Sequence, residues 1–157
     1  FSVSDKIKRT AKLLRRCWLN RFESLSYLVS HLNVDLQNAL DQRLKRYDLD
    51  IKLWPVLFSL WQEEGVTQTD LSKRCDVANY TMTRLLDQLQ QQQLITRQQD
   101  LDNRRAFNIY LTINGKALEQ DLIREAERVN EMFLENLTDA EQAEFLTLIN
   151  KINRFSD

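Results

Sequence analysis

Apolar residues recur at helical spacing along most of the chain. In residues 4–20, Ile7, Ala11, Leu14 and Trp18 fall on one side while Lys6, Lys8, Arg9, Lys12, Arg15 and Arg16 fill the others, which predicts an amphipathic basic helix. Such a helix suits DNA, a membrane surface, or a dimer interface with a wetted basic face. A second helix, from about Glu23 to Arg46, carries the stripe Leu25, Leu28, Val29, Leu32, Leu36, Leu40 and Leu44, and a stripe of that length predicts burial against another long helix. After Tyr47-Asp48-Leu49, Asp50 is the expected cap of a helix bearing Trp54, Leu57, Phe58 and Trp61, with Pro55 early enough to be tolerated. Glu63-Glu64-Gly65 ends it. Thr67 and Asp70 form a capping-box-like start for a short helix with Leu71 and Cys75 inward, and Asp76-Val77 makes the turn. The next helix spans about Ala78 to Gln92. Its inward row is Met82, Leu85, Leu86 and Leu89, so Asn79, Tyr80, Thr83, Arg84, Asp87 and Gln88 face outward.

The period then changes from 3.6 to 2. Leu94 to Gln98 and Phe107 to Leu111 read as two short strands joined by a polar loop from Gln99 to Ala106. From Asn114 the helical period returns with Leu118, Leu122, Ile123, Val129, Phe133 and Leu137. It restarts at Thr138-Asp139-Ala140-Glu141, a second capping box, ahead of Phe145, Leu148, Ile149 and Ile152.

Composition supports this helical reading. The 157 residues include only two Gly and one Pro, too few for a turn-rich β fold or a Gly-loop α/β fold. The order helix, turn, helix, hairpin is that of a winged helix-turn-helix. The predicted fold class is therefore mainly α with a small two- or three-stranded β wing and long terminal helices. We divide it into N-terminal dimerisation helices (1–46), a winged helix-turn-helix lobe (47–112) and C-terminal dimerisation helices (113–157), intertwined as one structural domain.

Charge alone does not point to a partner, since the net charge is −1. Its distribution is uneven: residues 1–21 carry seven Lys/Arg against one Asp, residues 113–157 five against ten acids, and residues 66–112 six against five. Placement says more. The exposed first turns of the 78–92 helix offer an amide, a phenol, hydroxyls and a guanidinium, groups that pair with base edges and phosphates. Arg104 and Arg105, adjacent on a projecting loop, suit the negative potential of a minor groove, the plainer alternative being two solvated turn arginines.

Other chemistries find little support. One His (His31) and two distant Cys (Cys17, Cys75) supply too few ligands for a Cys/His metal site. There is no Gly-rich phosphate loop, no Gly-x-Ser-x-Gly elbow and no nucleophile-base cluster, so we expect no enzyme activity, no metal and no cofactor. Every 18-residue stretch is interrupted by charge and no secretory pattern opens the sequence, so no membrane partner is expected and the cytoplasm is the expected compartment.

The segments Thr67-Gln68-Thr69-Asp70-Leu71-Ser72, Thr81-Met82-Thr83-Arg84-Leu85-Leu86-Asp87-Gln88-Leu89, Leu94-Ile95-Thr96-Arg97 and Asn103-Arg104-Arg105, then Leu111-Thr112 and Gly115, together resemble the MarR-family signature. The resemblance implies a homodimeric regulator, a repressor, that binds a pseudopalindromic duplex. It places Asn79, Tyr80, Thr81, Thr83 and Arg84 on the recognition helix and Arg104 and Arg105 in the wing. It also implies release by a small phenolic or aromatic-acid effector, for which Tyr27, His31, Trp54 and Phe58 are the candidate lining, core packing being the alternative for each. A peroxide-sensing branch of the family uses an early cysteine where Ser26 stands here, with Cys17 well upstream. Three positions depart from the pattern. Gln93 replaces a usual Gly, where a left-handed cap costs about 1 kcal/mol. Asn103 replaces a usual Asp, and Ala78 replaces an acid that pairs with a wing arginine in some members. The alternative to DNA binding is a winged-helix module that binds protein.

Overall fold

A computed structural model of the chain describes residues 24–99 and 107–153. The predicted basic helix over 4–20, Cys17 and the 100–106 loop with Arg104 and Arg105 lie outside the described residues. The chain divides into two compact units at Ala39/Leu40.

Helix α1, Leu25–Leu44, crosses that boundary. In the first unit the predicted stripe is not covered: Leu25, Leu28 and Val29 are exposed and Leu32 and Leu36 only half-buried. Leu44, in the second unit, is buried.

The second unit continues through a 3-10 turn, Lys45–Tyr47, and another, Ile51–Leu53, into α2, Trp54–Gln62. Asp50 caps as expected, accepting from Lys52 N–H at 2.8 Å. It caps the 3-10 turn rather than α2 itself, whose first positions are Trp54 and Pro55, where the missing proline N–H forfeits nothing. Then come β1 (Val66–Thr67), α3 (Gln68–Arg74), α4 (Asn79–Gln91), β2 (Ile95–Gln99) and β3 (Phe107–Leu111). The three strands form one antiparallel sheet in the order β1-β3-β2. Val66 pairs with Ile109, Ile95 with Leu111 and Gln99 with Phe107. Three helices close the described chain where two were expected: α5 (Ile113–Ala117), α6 (Glu119–Leu134) and α7 (Asp139–Asn153).

The core of this unit joins Leu53, Val56, Leu57 and Leu60 to Leu71 of α3, Met82, Leu86 and Leu89 of α4, Ile109 of β3 and Leu122 of α6, all essentially inaccessible. Each such side chain contributes roughly 1.5–3 kcal/mol on leaving water. Burial is thus concentrated on the helix-turn-helix and its sheet. By contrast α7 buries none of its residues, and its Leu146, Leu148 and Ile152 are exposed.

Three helix ends stop in the same way without glycine. The non-glycine residues with positive φ among the described residues are Asp48 (57°), Asp76 (50°) and Gln93 (59°). Each follows a helical segment, and each is flanked by the bond pair of a Schellman motif. Asp48 N–H bonds to Lys45 O and Leu49 N–H to Leu44 O; Asp76 N–H to Lys73 O and Val77 N–H to Ser72 O; Gln93 N–H to Gln90 O and Leu94 N–H to Leu89 O. The residue after each left-handed position is apolar and packs on the core, which offsets the strain of the turn. The left-handed conformation expected to be unfavourable at Gln93 is thus present.

Gly115 is required for a different reason. A Cβ there would lie 2.2 Å from the Leu94 carbonyl oxygen, so only glycine allows α5 to approach the start of β2. Thr112 caps α5 by accepting from Gly115 N–H at 3.1 Å, and Trp61 Nε1 donates to the Gly115 carbonyl at 3.0 Å. Glu64 adds a polar tie, accepting from Leu111 N–H at 3.0 Å and pairing with Lys116 Nζ at 2.7 Å, and this lysine holds its carboxyl below the usual range. Between α6 and α7, Thr138 and Glu141 exchange bonds as a complete capping box.

Candidate nucleic-acid interface

The placement of α4 follows from its two faces. Met82, Leu85, Leu86 and Leu89 are all buried, as the spacing predicted, so the opposite arc must face solvent. At about 100° per residue, Tyr80, Thr83, Arg84 and Asp87 share the centre of that arc, with Asn79 on one flank and Thr81 on the other. All six are exposed.

α3 seats the first turn of α4. Thr67 accepts from Asp70 N–H at 3.2 Å, and its hydroxyl donates to the Asp70 carboxylate at 2.6 Å, the main cause of that carboxyl's lowered pKa. Gln68, next in sequence, reaches across the turn: its Nε2 donates to Asn79 O at 3.2 Å and to Thr83 Oγ1 at 2.8 Å, while Thr83 donates to Asn79 O at 3.0 Å. The amide thus holds the otherwise free end of α4 against α3. One turn on, the Arg84 guanidinium lies 4.4 Å from the centre of the Tyr80 ring, an arrangement that contributes about 0.5–1 kcal/mol at an exposed site. It keeps a planar set of donors on the outer surface of the helix.

At the other end of α4, Arg97 of β2 binds Asp87 Oδ1 and Gln90 Oε1, both at 2.7 Å. The acid that would link helix and wing is missing at Ala78, and a different helix-to-strand link is made here. Sequence reasoning passed over both Gln68 and Arg97. Strand alternation offered a signal for the second, since Arg97 shares a face with buried Ile95 and so overlies α4. Nothing local marks the long reach of Gln68.

The predicted effector residues form two neighbouring pairs, each within its own unit. On α1, the Tyr27 and His31 rings are 5.7 Å apart, His31 Nδ1 lies 2.9 Å from Asp35 Oδ2, and Ser30 and Val34 complete the lining of an open depression. On α2, Trp54 stacks on Phe58 at 5.6 Å and meets Trp61 edge-on at 5.9 Å. Trp54 packs against the core, whereas Phe58 is exposed. Cys75 is half-buried beside the same core, and burial raises its thiol pKa. Among the described residues no group of three or more His, Cys, Asp or Glu is arranged to hold a metal ion, and no helix is long and apolar enough to cross a membrane.

The sequence model of the MarR family matches residues 49–107, the segment holding α2, the helix-turn-helix and β2. Over these residues the chain carries a MarR-family domain. Among its curated relatives is the HTH-type transcriptional repressor YetL of Bacillus subtilis, 30% identical over 102 residues, which are 64% of this chain and 60% of YetL. The chain thus spans about 60% of the length of that relative. Solved structures extend the likeness along the fold. A MarR transcriptional regulator from Methanosarcina mazei Go1 is 24% identical, with 85% of this chain and 96% of that one covered and a TM-score of 0.80. The S. aureus MepR–DNA complex is 25% identical, with 82% and 96% covered and a TM-score of 0.74. The winged helix-turn-helix with its three-stranded sheet is the architecture of this chain, as its sequence predicted.

Proposed function

We propose that this chain, with its MarR-family domain, is a transcriptional repressor that acts in the cytoplasm and binds a pseudopalindromic site in double-stranded DNA as a homodimer. The observation that carries the reading is the outward arc of α4, where Asn79, Tyr80, Thr81, Thr83 and Arg84 stand exposed on a helix whose other face is fully bedded. Amide, phenol, hydroxyl and guanidinium groups there match the donors and acceptors of major-groove base edges. The solved MepR–DNA complex supports the same reading, and so does the likeness to the transcriptional repressor YetL. Arg104 and Arg105 extend the contact into the neighbouring minor groove.

The exposed leucines of α1 and of α7 supply apolar surface for a second copy, with residues 1–46 and 113–157 as the dimerisation helices and 47–112 as the DNA-binding lobe. Two recognition helices then stand about one duplex turn (~34 Å) apart. A small phenolic or aromatic-acid ligand releases the DNA by changing that separation.

Selection of duplexes from a random library, followed by binding measurements on the recovered sequence, tests the reading. Wild-type protein recovers a sequence with twofold symmetry and remains dimeric by light scattering. Failure to enrich any duplex at physiological salt overturns it.

A further inference from the structure

Asp87 is the one carboxylate on the outward stripe that also carries Tyr80, Thr83 and Arg84. A bare carboxylate there would face the same phosphates that the rest of the stripe is suited to approach, and like charges at close range weaken association. Arg97 covers it. Nη2 donates to Asp87 Oδ1 and Nη1 to Gln90 Oε1, each at 2.7 Å, so Gln90 fixes the tilt of the guanidinium and Asp87 receives its charge. The Arg97 side chain is only 23% exposed while that of Asp87 is 59% exposed, so the cation approaches from beneath and leaves the outer surface of the stripe clear. A surface pair of this kind contributes roughly 0–1 kcal/mol to stability, too little for folding to be its main consequence.

The geometry points to Arg97 as a positioning residue for DNA binding: it acts through Asp87, masking the one acidic group on the recognition stripe. This inference rests on the DNA-binding reading above. It assigns Arg97 no contact with DNA of its own.

A mutant cycle tests it, using the duplex that the wild-type protein selects, with affinity, salt dependence and melting temperature measured for each protein. Arg97→Ala is expected to weaken binding roughly tenfold by unmasking the carboxylate, with a melting shift of about 3 °C or less. Asp87→Ala stays near wild-type affinity. The double variant Asp87→Ala/Arg97→Ala recovers to within about threefold of wild type, because no carboxylate remains to be masked; loss of a merely structural tie would not be rescued in this way. Arg97→Lys, which keeps the charge, stays closer to wild type than Arg97→Ala and serves if the alanine variant fails to fold. Wild-type affinity in Arg97→Ala overturns the inference. So does a double variant as weak as Arg97→Ala with a salt slope lower by about one, which marks a direct phosphate contact. A wild-type protein that selects no duplex overturns the DNA reading itself and this inference with it.

Discussion

Arg43, in the last turn of α1, donates to Glu125 in the middle of α6 at 2.7 Å, although 82 residues separate them. Arg128 reaches the other carboxylate oxygen at 3.0 Å, so this buried acid accepts from two guanidinium groups. The Arg43 bond is the largest cause holding the Glu125 carboxyl below the usual glutamate range, with Arg128 and Arg46 adding attraction.

Acid stability follows from that pair. In the unfolded chain Glu125 has its ordinary pKa and takes up a proton first as pH falls, so the unfolded state binds more protons there. The contribution of the pair is complete above the ordinary glutamate range and is lost as pH falls through the depressed folded value. Glu64, held by Lys116, adds to the same trend. Glu125→Gln lowers stability at neutral pH by about 2 kcal/mol and flattens its fall below about pH 4.5, as urea midpoints across pH will read. An unchanged acid profile in that variant would assign the dependence to other carboxylates.

Gln93→Gly is expected to stabilise the protein by about 1 kcal/mol, raising the melting temperature by roughly 3 °C, because glycine removes the left-handed penalty while the Schellman bonds remain. A lower melting temperature would show that the Gln93 side chain compensates for its own backbone.

Gly115→Ala acts in the opposite direction. The added methyl meets backbone oxygen rather than a flexible side chain, so α5 must move away from β2. We expect a loss of about 2–3 kcal/mol, a melting temperature several degrees lower, and a weakened Trp61-to-Gly115 bond visible as a change in tryptophan emission.

Cys75 should resist modification. Half-buried with a raised thiol pKa, it is expected to react with iodoacetamide at pH 7 far more slowly in the native protein than in urea. Equal rates would place the thiol at an open surface.

Element types and inward rows were legible in the residues. The period of Met82, Leu85, Leu86 and Leu89 marked the buried face of α4, and the change to a period of two located β2 and β3 to within a residue. Thr67 and Thr138 marked two helix starts through hydrogen bonds that close within three residues. β1, only Val66 and Thr67, is too short to show a period, and its pairing with Ile109 and Asn108 depends on β3, forty residues away. Of the candidate site, the exposed residues of α4 were readable in advance and strand alternation put Arg97 on the face over α4, whereas the bonds that Gln68 and Arg97 make were not readable. Their partners are 7–15 residues distant across turns, and polar residues carry no periodic signal of what they will meet.

What the sequence determined by itself is therefore local. Hydrophobic spacing, caps and turn residues act over three or four positions, and they set which segments are helix or strand and which side of each faces the core. Tertiary structure alone decided the links between segments: Arg97 over Asp87, Gln68 beneath Asn79, Arg43 against Glu125, and the contact of Gly115 with Leu94 that admits no side chain. Charged and amide groups bond to whatever the packed backbone brings within about 3 Å, and that proximity exists only after the core has closed.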